Sequence, residues 1–245
     1  MFLVFIPALL FSCQKKIGLA GTEDLGQRLV EQFRGQERAA ISAGVSALTS
    51  RGGFQAELYL EPGATVLGLV YGYSLPGQSL FEFKLEGKSY LMLDFLNSRA
   101  YSNNQDWLAD FSIESFPEAQ DQMLIFLIQA LFSLAGAIEP PTVFARSPTG
   151  LLIATARPGP DYAIKYFFAP GSARLEKMKV KKAGLEMTFK FAYPEDCWFP
   201  GRISLKNSTL KASLQTSELT CPETKRPQLN FAVPQGFRQS LVTGP

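Results

Sequence analysis

The hydrophobic pattern divides the chain into a short apolar run at its start, a helical segment, and two series of strands separated by a second helix. The apolar run extends from Phe2 to Phe11, and polar residues follow directly after Cys13. A run of this length is too short to span a bilayer as a helix and is typical of a secretory signal. We therefore expect residues 1–12 to be a signal peptide and residues 13–21 to be a tether.

The segment after the tether has a helical period. Thr22 is a suitable N-cap, and Leu29, Phe33 and Ile41 fall near one face of a helix. This pattern predicts a helix from Thr22 to about Ala47.

From Phe54 onward apolar and polar residues alternate, which is the pattern of half-buried strands. A second series of such segments runs from Leu151 to Leu219. Turn sequences with Gly and Pro separate the first four strands, as in an antiparallel meander. They are Glu61-Pro62-Gly63, Ser74-Leu75-Pro76-Gly77 and Glu86-Gly87-Lys88.

The segment from Met123 to Ile138 is apolar on nearly every side, and such a helix must be enclosed by protein or lipid. It is short for a membrane span, so we expect it to lid or plug a concave sheet; an ordinary core helix would be buried in the same way. The predicted fold is mainly β (α+β): a single curved antiparallel sheet of about eleven strands forms an incomplete barrel that helices lid or plug. Residues 22–245 form one domain in this prediction.

Composition excludes several classes of function. The chain has no histidine, the residue that most often serves as general base, metal ligand and pH switch. Its carboxylate pairs have no nucleophile, base or metal cluster near them in sequence, and no glycine-rich phosphate loop is present. We expect a protein that is not an enzyme and binds no cofactor and no metal. A net charge of +2 gives no reason to expect nucleic acid as a partner.

Aromatic and basic residues add two indications about the surfaces of the sheet. The chain contains 20 Phe, 8 Tyr and 2 Trp, which indicates a broad apolar face. Lys177, Lys179, Lys181 and Lys182 lie along one predicted strand. Such a run is usually a solvated outer face, and contact with anionic head groups is the alternative.

The sequence around Cys13 indicates a membrane anchor. Leu10-Phe11-Ser12-Cys13 resembles the bacterial lipobox, in which the cysteine thiol is alkylated by diacylglycerol and becomes the first residue of the mature protein. Acylation there would attach the protein to a membrane. An ordinary cleaved signal, or a buried N-terminal strand with Cys13 as a core thiol, is the alternative.

The other two cysteines are Cys197 and Cys221. An even pair in an exported chain is compatible with a disulfide, and extending the predicted hairpin around Asn207-Ser208-Thr209 brings the two residues near each other. Two free thiols in loops are the alternative.

The order of segments resembles the LolA/LolB superfamily of bacterial lipoprotein carriers. Leu175–Val180, Leu185–Phe191 and Phe199–Leu205, with Pro200 before an x-x-Ile-x-Leu strand, are similar to the closing strands of that superfamily. Gly53–Leu60, Val66–Tyr73 and Leu80–Gly87 are similar to the opening strands of its LolB-like, outer-membrane lipoprotein branch.

This resemblance implies an incomplete barrel whose apolar concave face binds acyl chains of lipoproteins or lipids. It also implies an outer-membrane lipoprotein that faces the periplasm, is anchored through Cys13, and receives cargo from a periplasmic carrier protein. The candidate wall residues also suit an ordinary core, and strand parity leaves open which face is inside. They are Leu69, Tyr71, Phe81, Phe83, Leu91, Leu93, Phe189 and Phe191 on strands, with Phe126, Ile128 and Phe132 on the apolar helix.

One turn departs from the LolB-like pattern, in which an exposed apolar residue precedes a glycine and pushes cargo into the membrane. Here the position before Gly87 is Glu86, and a carboxylate is costly to desolvate at a bilayer. Either Leu85 is the membrane-facing residue, or the protein holds lipid without inserting cargo. The alternative function is a non-catalytic structural or protein-binding envelope lipoprotein that uses the same scaffold with a filled core.

Overall fold

The computed structural model describes residues 20–49, 52–63, 66–72, 79–103, 119–169, 172–182, 184–207 and 211–241. Two helices lie in these ranges, α1 (Ala20–Gly35) and α2 (Ala119–Leu134). The first strands are β1 (Ile41–Thr49), β2 (Gly52–Glu61), β3 (Val66–Gly72), β4 (Ser79–Glu86), β5 (Ser89–Asp94) and β6 (Arg99–Asn103). The later strands are β7 (Val143–Arg146), β8 (Leu152–Gly159), β9 (Tyr162–Phe168), β10 (Leu175–Lys182), β11 (Leu185–Ala192), β12 (Arg202–Lys206), β13 (Lys211–Thr220) and β14 (Arg238–Leu241).

All fourteen strands belong to one sheet in the order β14-β6-β5-β4-β3-β2-β1-β13-β12-β11-β10-β9-β8-β7. The two meanders join where β1 pairs with β13. Neighbouring strands are antiparallel, except that β14 runs parallel to β6. The sheet is curved and does not close, because β14 and β7 are its two edges. The predicted mainly β fold, with one curved antiparallel sheet and two helices, is confirmed, although the described strands number fourteen rather than about eleven.

The predicted first helix is too long. Helix α1 ends at Gly35, and the segment from Ile41 becomes a strand that pairs on both sides, with β2 and β13. Ile41, Ala43 and Val45 are buried at every second position, which is the strand period. The residues between them, such as Ser42 and Gly44, are small, so the sequence alone is compatible with a helix. The segment is a strand because it pairs with β2 on one side and β13 on the other.

Both helices pack on one face of the sheet, which we call the inner face. Val30 and Phe33 of α1 belong to the same core cluster as Phe83 and Phe189 of the sheet. Close packing of α1 on β7 depends on Gly26, because a Cβ there would lie 2.3 Å from a ring carbon of Phe144. Neither described helix combines the length and the apolar character that crossing a bilayer requires.

The C-terminal segment, residues 221–241, crosses the outer face of β1 to β6, and we call it the C-terminal strap. It begins where the backbone N–H of Glu223 donates to the carbonyl of Ala40 (2.6 Å) and ends with β14 beside β6. In between, Phe231, Val233 and Phe237 pack on the outer side of β5 and β6. Residues 221–237 of the strap are irregular, and its strand begins at Arg238.

Candidate functional site

The inner face of the sheet is a continuous apolar wall. Phe83 of β4 pairs with Leu69 of β3 and Met92 of β5, and all three side chains are buried. In the second meander Phe189 of β11 lies opposite Met178 of β10 and Leu205 of β12. Of the predicted wall residues, the structure brings the following into one core cluster: Leu69, Phe81, Phe83, Phe126, Ile128, Phe132, Phe189 and Phe191.

Leu91 and Leu93 are not part of this wall. Their partners across β4 and β5 are Lys84 and Glu82, and they lie on the outer face in a second cluster under the strap. Tyr90 and Met92 occupy the inner positions of β5 instead. The error arose because β5 is apolar at four consecutive positions, so alternation could not identify the inner side. A continuous apolar run is itself the signal of a strand covered on both faces, and this one is covered outside by the strap.

The side chain of Tyr71 lies outside the described part of the structure, as do residues 1–19 with Cys13. The signal peptide and the acylation site therefore remain predictions, as does the tether up to residue 19, whereas Ala20 and Gly21 already belong to α1.

Helix α2 lies against the wall with apolar side chains in nearly every direction. Ile128, Ala130 and Leu131 are at most 2% exposed, although they point to different sides of the helix. A helix that is buried on several sides must be enclosed by the sheet and by its neighbours. The expectation that this segment covers a concave sheet agrees with its position.

Polar contacts between α2 and the sheet converge on two tyrosines of β9. Gln129 Nε2 donates a hydrogen bond to the hydroxyl oxygen of Tyr162 at 2.6 Å. The backbone N–H of Glu139, just after α2, donates to the hydroxyl of Tyr166 at 3.1 Å. Burial raises the pKa of both tyrosines well above the usual range, so both are neutral donors and acceptors at physiological pH.

Gln129 is a buried polar residue of a largely apolar helix, and its side chain is only partly hydrogen-bonded. The residue is 9% exposed, and its Oε1 has no hydrogen-bond partner among the described residues. A buried acceptor without a donor costs about 1–3 kcal/mol. This oxygen lies within the contact between α2 and the sheet, where a ligand or water that donates a hydrogen bond would relieve the cost.

A pocket of about 300 Å³ opens where α1 and α2 end. Phe33, Leu134 and Leu175 form an apolar part of its lining, and Arg38 and Arg174 lie at its polar part. The Arg38 guanidinium donates to the carbonyl of Phe33 at 2.7 Å and lies 4.5 Å above its ring. Arg38 thus hydrogen-bonds a carbonyl at the end of α1, as basic residues near helix C-termini do. Burial lowers the pKa of Arg38 from its ordinary value.

The turn between β4 and β5 does not present an apolar tip. Leu85 is 0% exposed and belongs to the core, so the prediction that it faces a membrane is wrong in this structure. Glu86 is exposed, and its Oε1 lies 2.7 Å from Nη2 of Arg226 in the strap. An ion-paired acid at this turn favours the other prediction, in which the protein holds lipid without inserting cargo.

Cys197 and Cys221 are free thiols in the structure. The Cys221 thiol is hydrogen-bonded to Cys197, and burial, with this contact as the second cause, raises its pKa to about 12. The pair is thus brought together as predicted without being bridged, and the disulfide stays a prediction. Among the described residues, no group of three His, Cys, Asp or Glu could hold a metal ion.

Comparison with known proteins identifies the fold. No family model matches the chain, and no curated protein matches its sequence. A LolA superfamily protein from Nitrosomonas europaea has a similar structure, with a TM-score of 0.50 and 10% identity over 82% of this chain and 94% of that one. A domain described as an outer membrane lipoprotein-sorting protein, from Vibrio parahaemolyticus, gives a TM-score of 0.51 and 11% identity over 85% and 95%. The resemblance found in the strands is confirmed at the level of fold: the chain has the fold of the LolA superfamily.

Proposed function

We propose that this chain, which has the LolA-superfamily fold, is a non-catalytic lipid-binding protein of the bacterial envelope. In this proposal, acyl chains of lipoproteins or other lipids lie between α2 and the inner wall of the sheet. The observation that carries the proposal is the placement of α2, a helix that is apolar on several sides and covers the apolar wall of an unclosed sheet. Ligand sites for lipids require such a wall with a few polar groups to orient the ligand.

The contacts that α2 makes with the sheet are of a kind that a lipid can replace. Its apolar contacts are non-directional, so an acyl chain can replace them against the same wall without leaving hydrogen bonds unmade. The polar contacts of α2 and the turn after it lie near one strand, β9: Gln129 contacts Tyr162, and Ser133 and Glu139 contact Tyr166. We infer that α2 moves away from the wall while lipid enters and that these contacts define its closed position.

The anchor and the location belong to the same proposal. The lipobox-like sequence at Cys13 supports acylation, and acylation supports an outer-membrane lipoprotein that faces the periplasm and receives lipid from a periplasmic carrier. The ion pair between Glu86 and Arg226 supports a protein that holds lipid, because inserting a charged pair into a bilayer is unfavourable.

The alternative is a structural or protein-binding envelope lipoprotein with a filled core. The observation in its favour is complete burial of the wall: Phe83, Phe168 and Phe189 are all 0% exposed beneath the helices. The two functions differ in whether α2 can be displaced by lipid.

The test uses the full chain with Cys13→Ser, which cannot be acylated, purified from the periplasm of an expressing bacterium. Native mass spectrometry with lipid extraction should find an acyl species near one per protein, and the delipidated protein should bind a fluorescent fatty acid. A protein that is lipid-free and fails to bind the probe would overturn the proposal in favour of the filled-core alternative.

Two matched side-chain truncations test where on the protein the ligand binds. Phe189→Ala on the inner wall should change the affinity for the fluorescent fatty acid, whereas Leu93→Ala under the strap should leave it unchanged, although both remove buried apolar atoms. Equal effects from both variants would mean that the probe reports stability rather than a site. Palmitate labelling that is lost in Cys13→Ser, and recovery of the labelled chain with outer membranes, test the anchor and the location.

A further inference from the structure

The outer face of β9 to β12 carries a concentration of lysines. Inner positions on these strands are apolar, for example Ile164 on β9 and Val180 on β10, so the alternate positions point outward. The outward lysines that form what we call the lysine face are Lys165, Lys177, Lys179, Lys181, Lys190 and Lys206.

The strand register sets these lysines directly opposite one another. Lys165 of β9 pairs with Lys179 of β10, and Lys177 of β10 pairs with Lys190 of β11. Like charges in such cross-strand pairs destabilise a sheet. Lys177 is affected by this repulsion. Burial is the largest cause of its lowered pKa, and the charges of Lys179 and Lys190 lower it further. The fold therefore keeps a charge arrangement that weakens it.

Acidic residues do little to offset this arrangement. Glu186 forms an ion pair with Lys179 at 3.5 Å, and the two side chains are 54% and 40% exposed, so the pair is worth little. Lys177 Nζ lies 3.9 Å from the ring centroid of Phe167, a contact that positions the amine without neutralising it.

The two halves of the sheet differ in what lies on their outer faces. The strap covers β3 to β6 with Leu229, Phe231 and Val233. On the lysine face, by contrast, Lys165, Lys190 and Lys206 are exposed. With neighbouring strands about 4.8 Å apart, the face is about 14 Å wide over four strands. Charges on adjacent strands of this face thus lie within one screening length of each other at physiological salt, about 8 Å.

We propose that the lysine face docks on the surface of an anionic phospholipid bilayer. The chain as a whole carries a net charge of only +2, so its attraction to such a surface must come from this local asymmetry rather than from a general excess of cations. An anionic bilayer offers many negative head groups on a plane, which matches several lysines held on one exposed sheet face. Docking would also relieve the repulsion between the paired lysines. This inference is independent of acyl-chain binding, because it concerns the opposite side of the sheet.

The test measures binding of the Cys13→Ser chain to vesicles, since this variant has no lipid anchor. We expect co-sedimentation with vesicles of phosphatidylcholine and phosphatidylglycerol at 7:3, none with pure phosphatidylcholine, and loss of binding as salt rises from about 0.05 to 0.5 M. The fourfold variant Lys165→Gln, Lys179→Gln, Lys190→Gln and Lys206→Gln should weaken binding by roughly several hundredfold, at about fivefold per lysine.

The matched control removes the same number of charges elsewhere. Its substitutions, all at exposed cations, are Arg34→Gln, Lys88→Gln, Lys225→Gln and Arg238→Gln. Circular dichroism should show both variants folded, and Glu186→Gln should strengthen binding because it removes the acid on the face. Equal loss in the control variant, or binding to a soluble anionic polymer such as heparin without binding to the anionic vesicles, would overturn the proposal.

Discussion

Arg226 and Glu86 stand 140 residues apart in the chain, and their side chains meet at 2.7 Å between Nη2 and Oε1. The Nε atom of the same guanidinium lies 3.4 Å from Oε2 of Glu61. Both acids pair in register with Val66, so they stand at the same end of β2 and β4. The strap thus places one cation between two acidic turns and connects the C-terminal part of the chain to the first meander.

Arg226→Gln should loosen the strap with little loss of global stability. Exposed ion pairs contribute about 0–1 kcal/mol each, and the apolar contacts of Phe231 and Phe237 remain. Amide hydrogen exchange should therefore speed up in residues 223–231 while the urea midpoint changes little. Lys225→Gln, which removes a neighbouring exposed charge, is the control, because it leaves the ion pairs of Arg226 with Glu61 and Glu86 in place. The same exchange rates in both variants would show that the Arg226 contacts do not hold the strap.

Gly26→Ala should destabilise the protein although alanine favours helices. The new Cβ would lie 2.3 Å from Cδ1 of Phe144, and overpacking of this kind typically costs about 1–3 kcal/mol. That cost exceeds the gain in helix propensity of about 1 kcal/mol. Thermal or urea unfolding should show the loss.

Gly21→Ala is the control for this prediction, because it lies in the same helix and a Cβ there meets nothing within 4 Å. It should be neutral or stabilising. A Gly26→Ala protein as stable as Gly21→Ala would mean that α1 does not pack on β7 through this glycine.

The strands of the second meander could be predicted from the sequence, because apolar and polar residues alternate regularly along them. The series of strands predicted between Leu151 and Leu219 is observed, for example in β9 (Tyr162–Phe168) and β12 (Arg202–Lys206). Here each strand has one apolar face, and the period alone fixes both the element and its orientation.

The same reasoning failed where the strands depend on distant partners. Strand β1 contains small residues compatible with two periods, and its identity comes from pairing with β13, whose partner for Thr49 is Ala212. The inner side of β5 depends on the strap that covers Leu91 and Leu93. No local pattern indicates which of two apolar faces a segment more than a hundred residues later will cover.

Stability should fall at alkaline pH through groups whose folded-state pKa is raised. Burial, followed by the hydrogen bond to Glu61, raises the pKa of Tyr59 to about 12 from 10.0. The folded state therefore holds this proton more tightly, and the stabilisation is fully present below about pH 10 and is lost as the pH rises toward 12. Urea midpoints should drop between pH 9.5 and 11, and less steeply in Tyr59→Phe than in the parent. An unchanged slope would exclude Tyr59 as a contributor.

Oxidation should join Cys197 to Cys221 and stabilise the protein. The two thiols are already in hydrogen-bonding contact, and closing a loop of this size stabilises a fold by about 2–4 kcal/mol. Protein from the periplasm should show the mass of the bridged form and should lose thermal stability on reduction. Cys197→Ser with Cys221→Ser should be insensitive to reductant. Two titratable thiols in the untreated periplasmic protein would contradict the bridge.

Gln129→Leu should show whether the contact between α2 and β9 controls the entry of lipid. Leucine removes the buried Oε1 that has no described partner, and it also removes the donor to Tyr162. The first change relieves a cost of about 1–3 kcal/mol and favours the closed helix, whereas the second loses a hydrogen bond worth about 0.5–1.5 kcal/mol to a tyrosine that is only partly buried. The urea midpoint should therefore be unchanged or slightly higher.

If α2 must leave the wall before lipid enters, uptake of a fluorescent fatty acid by Gln129→Leu should slow in stopped-flow mixing, because the variant keeps more apolar surface in the contact that has to open. Tyr162→Phe is the matched variant at the other partner of this hydrogen bond. It leaves both ends of the buried Gln129 amide without a partner among the described residues, so it should lower the urea midpoint and speed uptake. Rates that change in the same direction in both variants would show that this contact does not control the opening of α2.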